Sequence, residues 1–130
     1  MFIPLKRICL LTGISLLNAC ALFSGVQQQT TLNLELAEQN LQMGLYQEAL
    51  PYLNKALSLE PKLGHTHAAL GEYYSAIGEL EQAAKHYQQA LHQDHDNLYV
   101  LASYASYLCI NDESERGITI LLDLIDNARN

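Results

Sequence analysis

Apolar positions along this chain fall into two regimes. A short continuous apolar run lies near the start, from Ile8 to Leu17. From about residue 31 onward the apolar residues recur with a helical period, interrupted by turn residues. Their spacing predicts helices over 31–43, 47–60, 64–77, 81–94, 98–110 and 114–128. Gly44 and Gly78 stand where the first helix of a pair must stop, a place that favours left-handed backbone. Pro61 ends a second helix. Pro51 falls early in its helix, where a missing amide costs less than at mid-helix, although some local irregularity is expected.

The helical pattern repeats at a spacing of 34 residues without insertions. Leu36 recurs as Leu70 and Tyr104, and Ala37 as Gly71 and Ala105. Gly44 recurs as Gly78, and Ala49 as Ala83 and Gly117. Leu53 recurs as Tyr87 and Leu121, Ala56 as Ala90 and Leu124, and Leu57 as Leu91 and Ile125. Small residues align with small ones and large apolar ones with large apolar ones. Helix-on-helix packing explains this: Ala49 and Ala83 let the second helix of each unit approach the first at Ala37 and Gly71, while Leu36, Leu53, Leu70 and Tyr87 fill the remaining space. The expected fold is all-α, with three units at 30–63, 64–97 and 98–130. Apolar residues make up 49% of the chain, Ala and Leu above all, a mix that suits packed helices better than sheet.

The first twenty residues read as an address. Lys6 and Arg7 precede the apolar run, and Asn18, Ala19 and Cys20 follow it. A charged start, a short apolar run and a small residue before a break describe a secretory signal peptide. The run is shorter than the roughly 20 apolar residues that a membrane span needs. Leu17-Asn18-Ala19-Cys20 resembles a bacterial lipobox, which implies a signal peptide over 1–19 and a lipid on Cys20. The alternative is an ordinary signal, cleaved or retained as an anchor, with Cys20 incidental. Ala21 after the cysteine, by resemblance to enterobacterial sorting rules, implies the periplasmic face of the outer membrane. Residues 20–29 show no helical period and read as a flexible tether, whose last nine residues reach at most about 30 Å when extended. Cys109 is then left without a disulfide partner, and its place in an apolar helical pattern makes it a small hydrophobe of the core.

The repeat resembles the tetratricopeptide family, whose fold is an α-solenoid of helical hairpins. Leu70, Gly71, Tyr74, Gly78, Ala83, Tyr87 and Ala90 fall on signature positions in the second unit. The third unit is weaker, with Asp112 at the turn and Gly117 in place of alanine. Asn33, His67 and Leu101 stand where the signature has tryptophan. Three stretches resemble more narrowly the type IV pilus biogenesis and stability lipoproteins, the pilotins of that system. They are Glu48 to Leu57 with Glu60-Pro61, His67 to Leu70, and Ser103 to Leu108. That resemblance implies a protein that helps the pilus secretin reach and assemble in the outer membrane. Pilotins carry about six repeats and this chain about three, so a short relative, a truncated non-functional remnant and a generic cell-envelope adaptor stay open beside it.

In this repeat family the first helices line a concave groove. The corresponding residues are Thr31, Leu34, Glu38, Leu41 and Gln42, then His65, Ala68, Glu72, Ser75 and Ala76, then Tyr99, Ala102, Ser106, Cys109 and Ile110. The set is small, apolar and acidic, with no Lys or Arg. It excludes a groove that clamps a peptide carboxylate and fits an apolar segment with a basic residue near Glu38 or Glu72. Ile118, Leu122 and Ile125 leave an apolar edge on the last helix, expected to mediate association with a second copy or another partner.

Charge and candidate chemistry narrow the function further. After removal of 1–19, five basic residues (Lys55, Lys62, Lys85, Arg116, Arg129) face fourteen acidic ones, a surface that repels nucleic acid. His65 and His67 diverge on a helix, and His92 and His95 sit at an acidic helix end, so neither pair predicts a metal site. His86 is expected at the surface. No glycine-rich phosphate loop and no nucleophile-base spacing occurs. The expectation is a binding scaffold with no cofactor, no metal and no catalytic residue.

Overall fold

A computed structural model describes the backbone of residues 5–129 and the side chains of residues 19–129. Of the expected signal peptide, residues 1–19, the side chains of 1–18 lie outside that set. Six helices follow in order: α1 (Leu5–Gln42), α2 (Tyr46–Leu59), α3 (Gly64–Ala76), α4 (Leu80–Gln93), α5 (Leu98–Ile110) and α6 (Ser114–Arg129). From residue 31 on, their bounds agree with the spacing of apolar residues to within one position. Pro51 sits inside α2 without breaking it, on the exposed side.

α1 corrects one expectation. Residues 20–29 are helical, not an irregular tether. No proline interrupts them, and Ala, Leu and Gln are good helix formers. All side chains from Ala19 to Gln29 are exposed, and the first buried residue is Thr30. This part of α1 therefore stands clear of the packed hairpins, held by its own backbone bonds. As helix, nine residues span about 14 Å, half of the extended reach. Among the described residues no helix is long and apolar enough to cross a membrane.

The packed part consists of three hairpins, α1/α2, α3/α4 and α5/α6. Each pair crosses where its small residues meet. Ala49 and Ala83 on the second helices are fully buried, and so are Ala37 and Ala105 on the first helices. In the second hairpin Gly71 makes room for the Tyr87 ring, which a Cβ there would meet at 2.8 Å. At Gly117 the approach is closer still: a Cβ there would lie 2.6 Å from the Ala105 carbonyl oxygen and 2.6 Å from the Cys109 Sγ. Glycine in place of alanine is thus a requirement of the third hairpin. Cys109 itself is half-buried rather than enclosed in the core.

Between hairpins, α1, α3 and α5 pack side by side, while α2, α4 and α6 do not touch one another. The second helices are splayed on the outside, so the first helices form the concave side. One core cluster joins Leu34, Ala37, Leu53 and Ala56 to Ala69, Leu70 and Tyr73, and a second joins Ala68, Ala83, Tyr87 and Ala90 to Val100. Both clusters cross a hairpin boundary, which is what makes neighbouring repeats mutually dependent.

All three hairpin turns share one geometry. The amides of Leu45, Glu79 and Glu113 donate to the carbonyls of Asn40, Tyr74 and Leu108, at 2.8, 2.9 and 3.1 Å. Each bond spans five residues and needs a left-handed residue between. Gly44 and Gly78 supply it at φ of 73° and 82°, and Asp112 fills the equivalent place at 62°.

His67 and His86 form a buried stack that the sequence did not predict. His67 is buried and His86 half-buried, not at the surface. The His86 ring lies between His67, with centroids 5.5 Å apart, and Tyr74 at 5.2 Å. His67 Nε2 is 3.0 Å from the Pro61 carbonyl and its Nδ1 is 3.2 Å from His86 Nδ1. A carbonyl only accepts, so neutral His67 carries its proton on Nε2 and accepts at Nδ1 from His86. Burial, with the charges of His67 and Lys85 behind it, pushes His86 down to about 4.

Two outcomes follow. Asp112→Gly relieves the left-handed strain and raises stability by about 0.5–1 kcal/mol, read as a higher urea midpoint. For His86 the unfolded ring takes its proton near 6.5 and the folded ring near 4, so the unfolded chain binds more protons between these values. Stability therefore falls as the pH drops through that window. Solvent screening of a half-exposed ring limits the loss to about 1–2 kcal/mol. Urea titrations at pH 7 and pH 4.5 check this, with His86→Gln showing a loss smaller by that amount.

Candidate protein-binding groove

The concave side takes its side chains from positions that recur on one face of each first helix. His65 and Glu72 are two turns apart on α3, and Tyr99, Ser103 and Ser106 follow the same face of α5. Glu38 projects from α1 towards them. Helix packing brings these residues into one polar strip across three hairpins.

The strip has two hydrogen-bonded parts. In the first, the His65 Nε2 and the Glu38 carboxylate are directly bonded, and the His65 ring stacks on Tyr99 with centroids 4.0 Å apart. In the second, the Ser103 hydroxyl donates to the Glu72 carboxylate. Tyr87 Oη lies 3.3 Å from Ser103 Oγ. Ser103 has one proton, already given to Glu72, so Tyr87 is the donor. Burial is the main force raising the Tyr87 phenol, and the Glu72 charge adds to it. Glu72 is itself raised, first by burial and then by the Glu38 charge, against the pull of the Ser103 and Tyr99 hydroxyls. The Tyr99 hydroxyl is buried and near enough to Glu72 for each to act on the other, yet it forms no hydrogen bond of acceptable geometry.

Two cavities open on this side. One of about 390 Å³ is lined by Gln27, Thr31, Leu34, Glu35, Glu38, Glu60, Leu63 and His65. The other, about 380 Å³, is lined by Glu72, Ser75, Ala76, Tyr87, Ser103, Ser106, Tyr107 and Ile110. Each holds one of the strip's carboxylates and neither holds a Lys or Arg. What this arrangement can do is hold a cation at two points along an apolar segment.

Of the residues expected in the groove, Glu38, His65, Glu72 and Tyr99 come together in the strip. Ser106 is exposed and lines the second cavity, and Ala102 is half-buried beside it. Ala68 does not reach the groove. It is fully buried in the cluster with Tyr87 and Val100, because its helix face points into the next hairpin. Leu34 is buried in the first cluster and shows only an edge to its cavity, and Leu41 packs against that cluster. Ser103 and Tyr87 were not foreseen. The available signal was a serine at the place where the preceding repeat has Ala69. On the last helix Ile118, Leu122 and Ile125 are exposed. Cys20 is exposed on the free part of α1.

Comparison with known proteins gives a consistent result. No curated protein sequence matches. Among solved structures, pilF of Pseudomonas aeruginosa superposes with a TM-score of 0.69 at 30% identity, covering 75% of this chain and 44% of that one. The chain thus spans less than half the length of that relative. The family model described as tetratricopeptide repeat matches residues 27–93. The match begins just before the first buried residue, ends with α4 and takes in just over half of the chain, which therefore belongs to the tetratricopeptide-repeat family.

Proposed function

We propose that this protein is an outer-membrane lipoprotein that assists type IV pilus biogenesis by holding a segment of the pilus secretin in its groove. It acts as a binding scaffold and carries out no reaction of its own. A lipid on Cys20 anchors it on the periplasmic face, and the free part of α1 holds the hairpins off the membrane. The likeness to pilF and the pilotin-like stretches support the pilus assignment.

One observation carries the binding mode: two carboxylates, Glu38 and Glu72, face separate cavities on the concave side, and neither cavity is lined by a Lys or Arg. Glu72 has only hydroxyls beside it and Glu38 shares its carboxylate with the His65 ring, so neither acid is neutralised by Lys or Arg and both attract one from outside. The segment that fits is apolar, extended or helical, with basic residues spaced to meet the two acids. Glu72, held above its usual range by burial, gains most from such a partner.

Crosslinking in native cells, followed by extraction of the membrane-bound protein, tests the assignment. The secretin is expected to dominate what co-purifies. Other envelope proteins in its place would leave a general envelope adaptor and remove the pilus role. Glu72→Gln keeps the shape and removes the charge, and is expected to weaken capture about tenfold, the size of one charge-assisted hydrogen bond.

A further inference from the structure

Helix α6 carries an apolar seam that none of the described residues covers. Among the described residues α6 packs on α5 alone, whereas α2 packs on α1 and α3, and α4 on α3 and α5. Ile118 and Ile125 stand at the places of Leu50 and Leu57 in the first unit and of Ala84 and Leu91 in the second, one repeat of 34 residues apart. Those four side chains are half-buried. Ile118, Leu122 and Ile125 are instead 51%, 56% and 51% exposed.

The seam has its own register. Glu115, Ile118, Leu122, Ile125 and Arg129 alternate three and four residues apart, the spacing of a coiled-coil contact line. At about 100° per residue they fall within an arc of about 80°. The pattern is also symmetric about Leu122. Isoleucines flank it at near-equal distance, and an acid and a base stand seven residues away on either side. Two such helices laid antiparallel across a two-fold axis would set Leu122 against its own copy and Ile118 against Ile125. Glu115 of each would meet Arg129 of the other.

A head-to-tail stack is disfavoured by the opposite edge of the array. On α1, Glu35 and Gln39 are exposed where α3 presents Ala69 and Tyr73 to the preceding hairpin. Laying an apolar seam there would desolvate Glu35 without a partner. The C-terminal edge is self-complementary and the N-terminal edge is not. We propose that the chain forms a two-fold dimer through antiparallel pairing of α6, its partner being a second copy of itself. The closed symmetry stops assembly at two and leaves both grooves open.

Disulfide mapping of the full chain in membranes, on a Cys109→Ala background, tests this. Leu122→Cys is expected to give a crosslinked dimer, and Asp123→Cys, on the solvent side of α6, at least fivefold less. Ile118→Cys mixed with Ile125→Cys should crosslink more than either alone. Glu115→Arg and Arg129→Glu should each reduce the Leu122→Cys dimer at least fivefold, and the two together should restore it. Equal crosslinking at residues 122 and 123, a parallel pattern in which residue 118 pairs best with itself, or failure of the double charge reversal to restore the dimer would each overturn the proposal.

Discussion

The distance at which each second helix crosses its first fixes the rest of this molecule. Ala49, Ala83 and Gly117 stand at those crossings, all buried. A small residue there draws the helices together, and the large apolar side chains on either side are forced outward into the neighbouring hairpin. That is why both core clusters span hairpin boundaries. Tight pairs with bulky flanks stack with their first helices in contact and their second helices apart. The concave face follows from the volumes of a few side chains recurring at one spacing.

The groove shows the opposite economy. Here the polar groups are only partly satisfied. Glu72 has a hydroxyl donor in Ser103, but its charge is half-buried among tyrosines, and the Tyr99 hydroxyl has no good partner. A carboxylate in that setting costs stability in the free protein, and a basic group from a partner offsets the cost only in the complex. Such a strip gives the groove selectivity for charge while its apolar walls supply contact area. The His65–Glu38 bond ties two hairpins together and keeps the first acid oriented.

The sequence made the repeat legible because a spacing of 34 residues constrains many positions at once. The same logic located the turns, where only a left-handed residue closes the five-residue bond, and where Asp112 takes glycine's place at a conformational cost. The free part of α1 was not legible. An unpacked helix needs no apolar period, since nothing selects one face over another, and propensity alone shapes it. Positions 2 and 9 bring His65, Tyr99, Glu38 and Glu72 together in the half-buried polar strip. At position 5, Leu34 and Ala68 instead point at the boundary between hairpins, and a single helix face cannot reveal what the next hairpin brings against it. Ser103, Tyr87 and His86 acquire their roles only through contacts with other helices, which no local pattern encodes.

The third hairpin departs from the signature for physical reasons. With glycine at its crossing, α6 sits close to α5, held through Gly117 and the half-buried Ile120, Leu121 and Leu124. In the first two units the second helix must serve two neighbours, so its apolar surface is divided between them. In α6 that division persists in the sequence, with one seam turned to α5 and another at Ile118, Leu122 and Ile125, although among the described residues only α5 packs on it. The flanking Glu115 and Arg129 lie on the line of the exposed seam rather than on the solvent side. Charges of opposite sign at the two ends of an apolar line favour one antiparallel register over slipped or parallel ones, since every other alignment brings like charges together or leaves them unmatched. An edge built this way is specific as well as apolar.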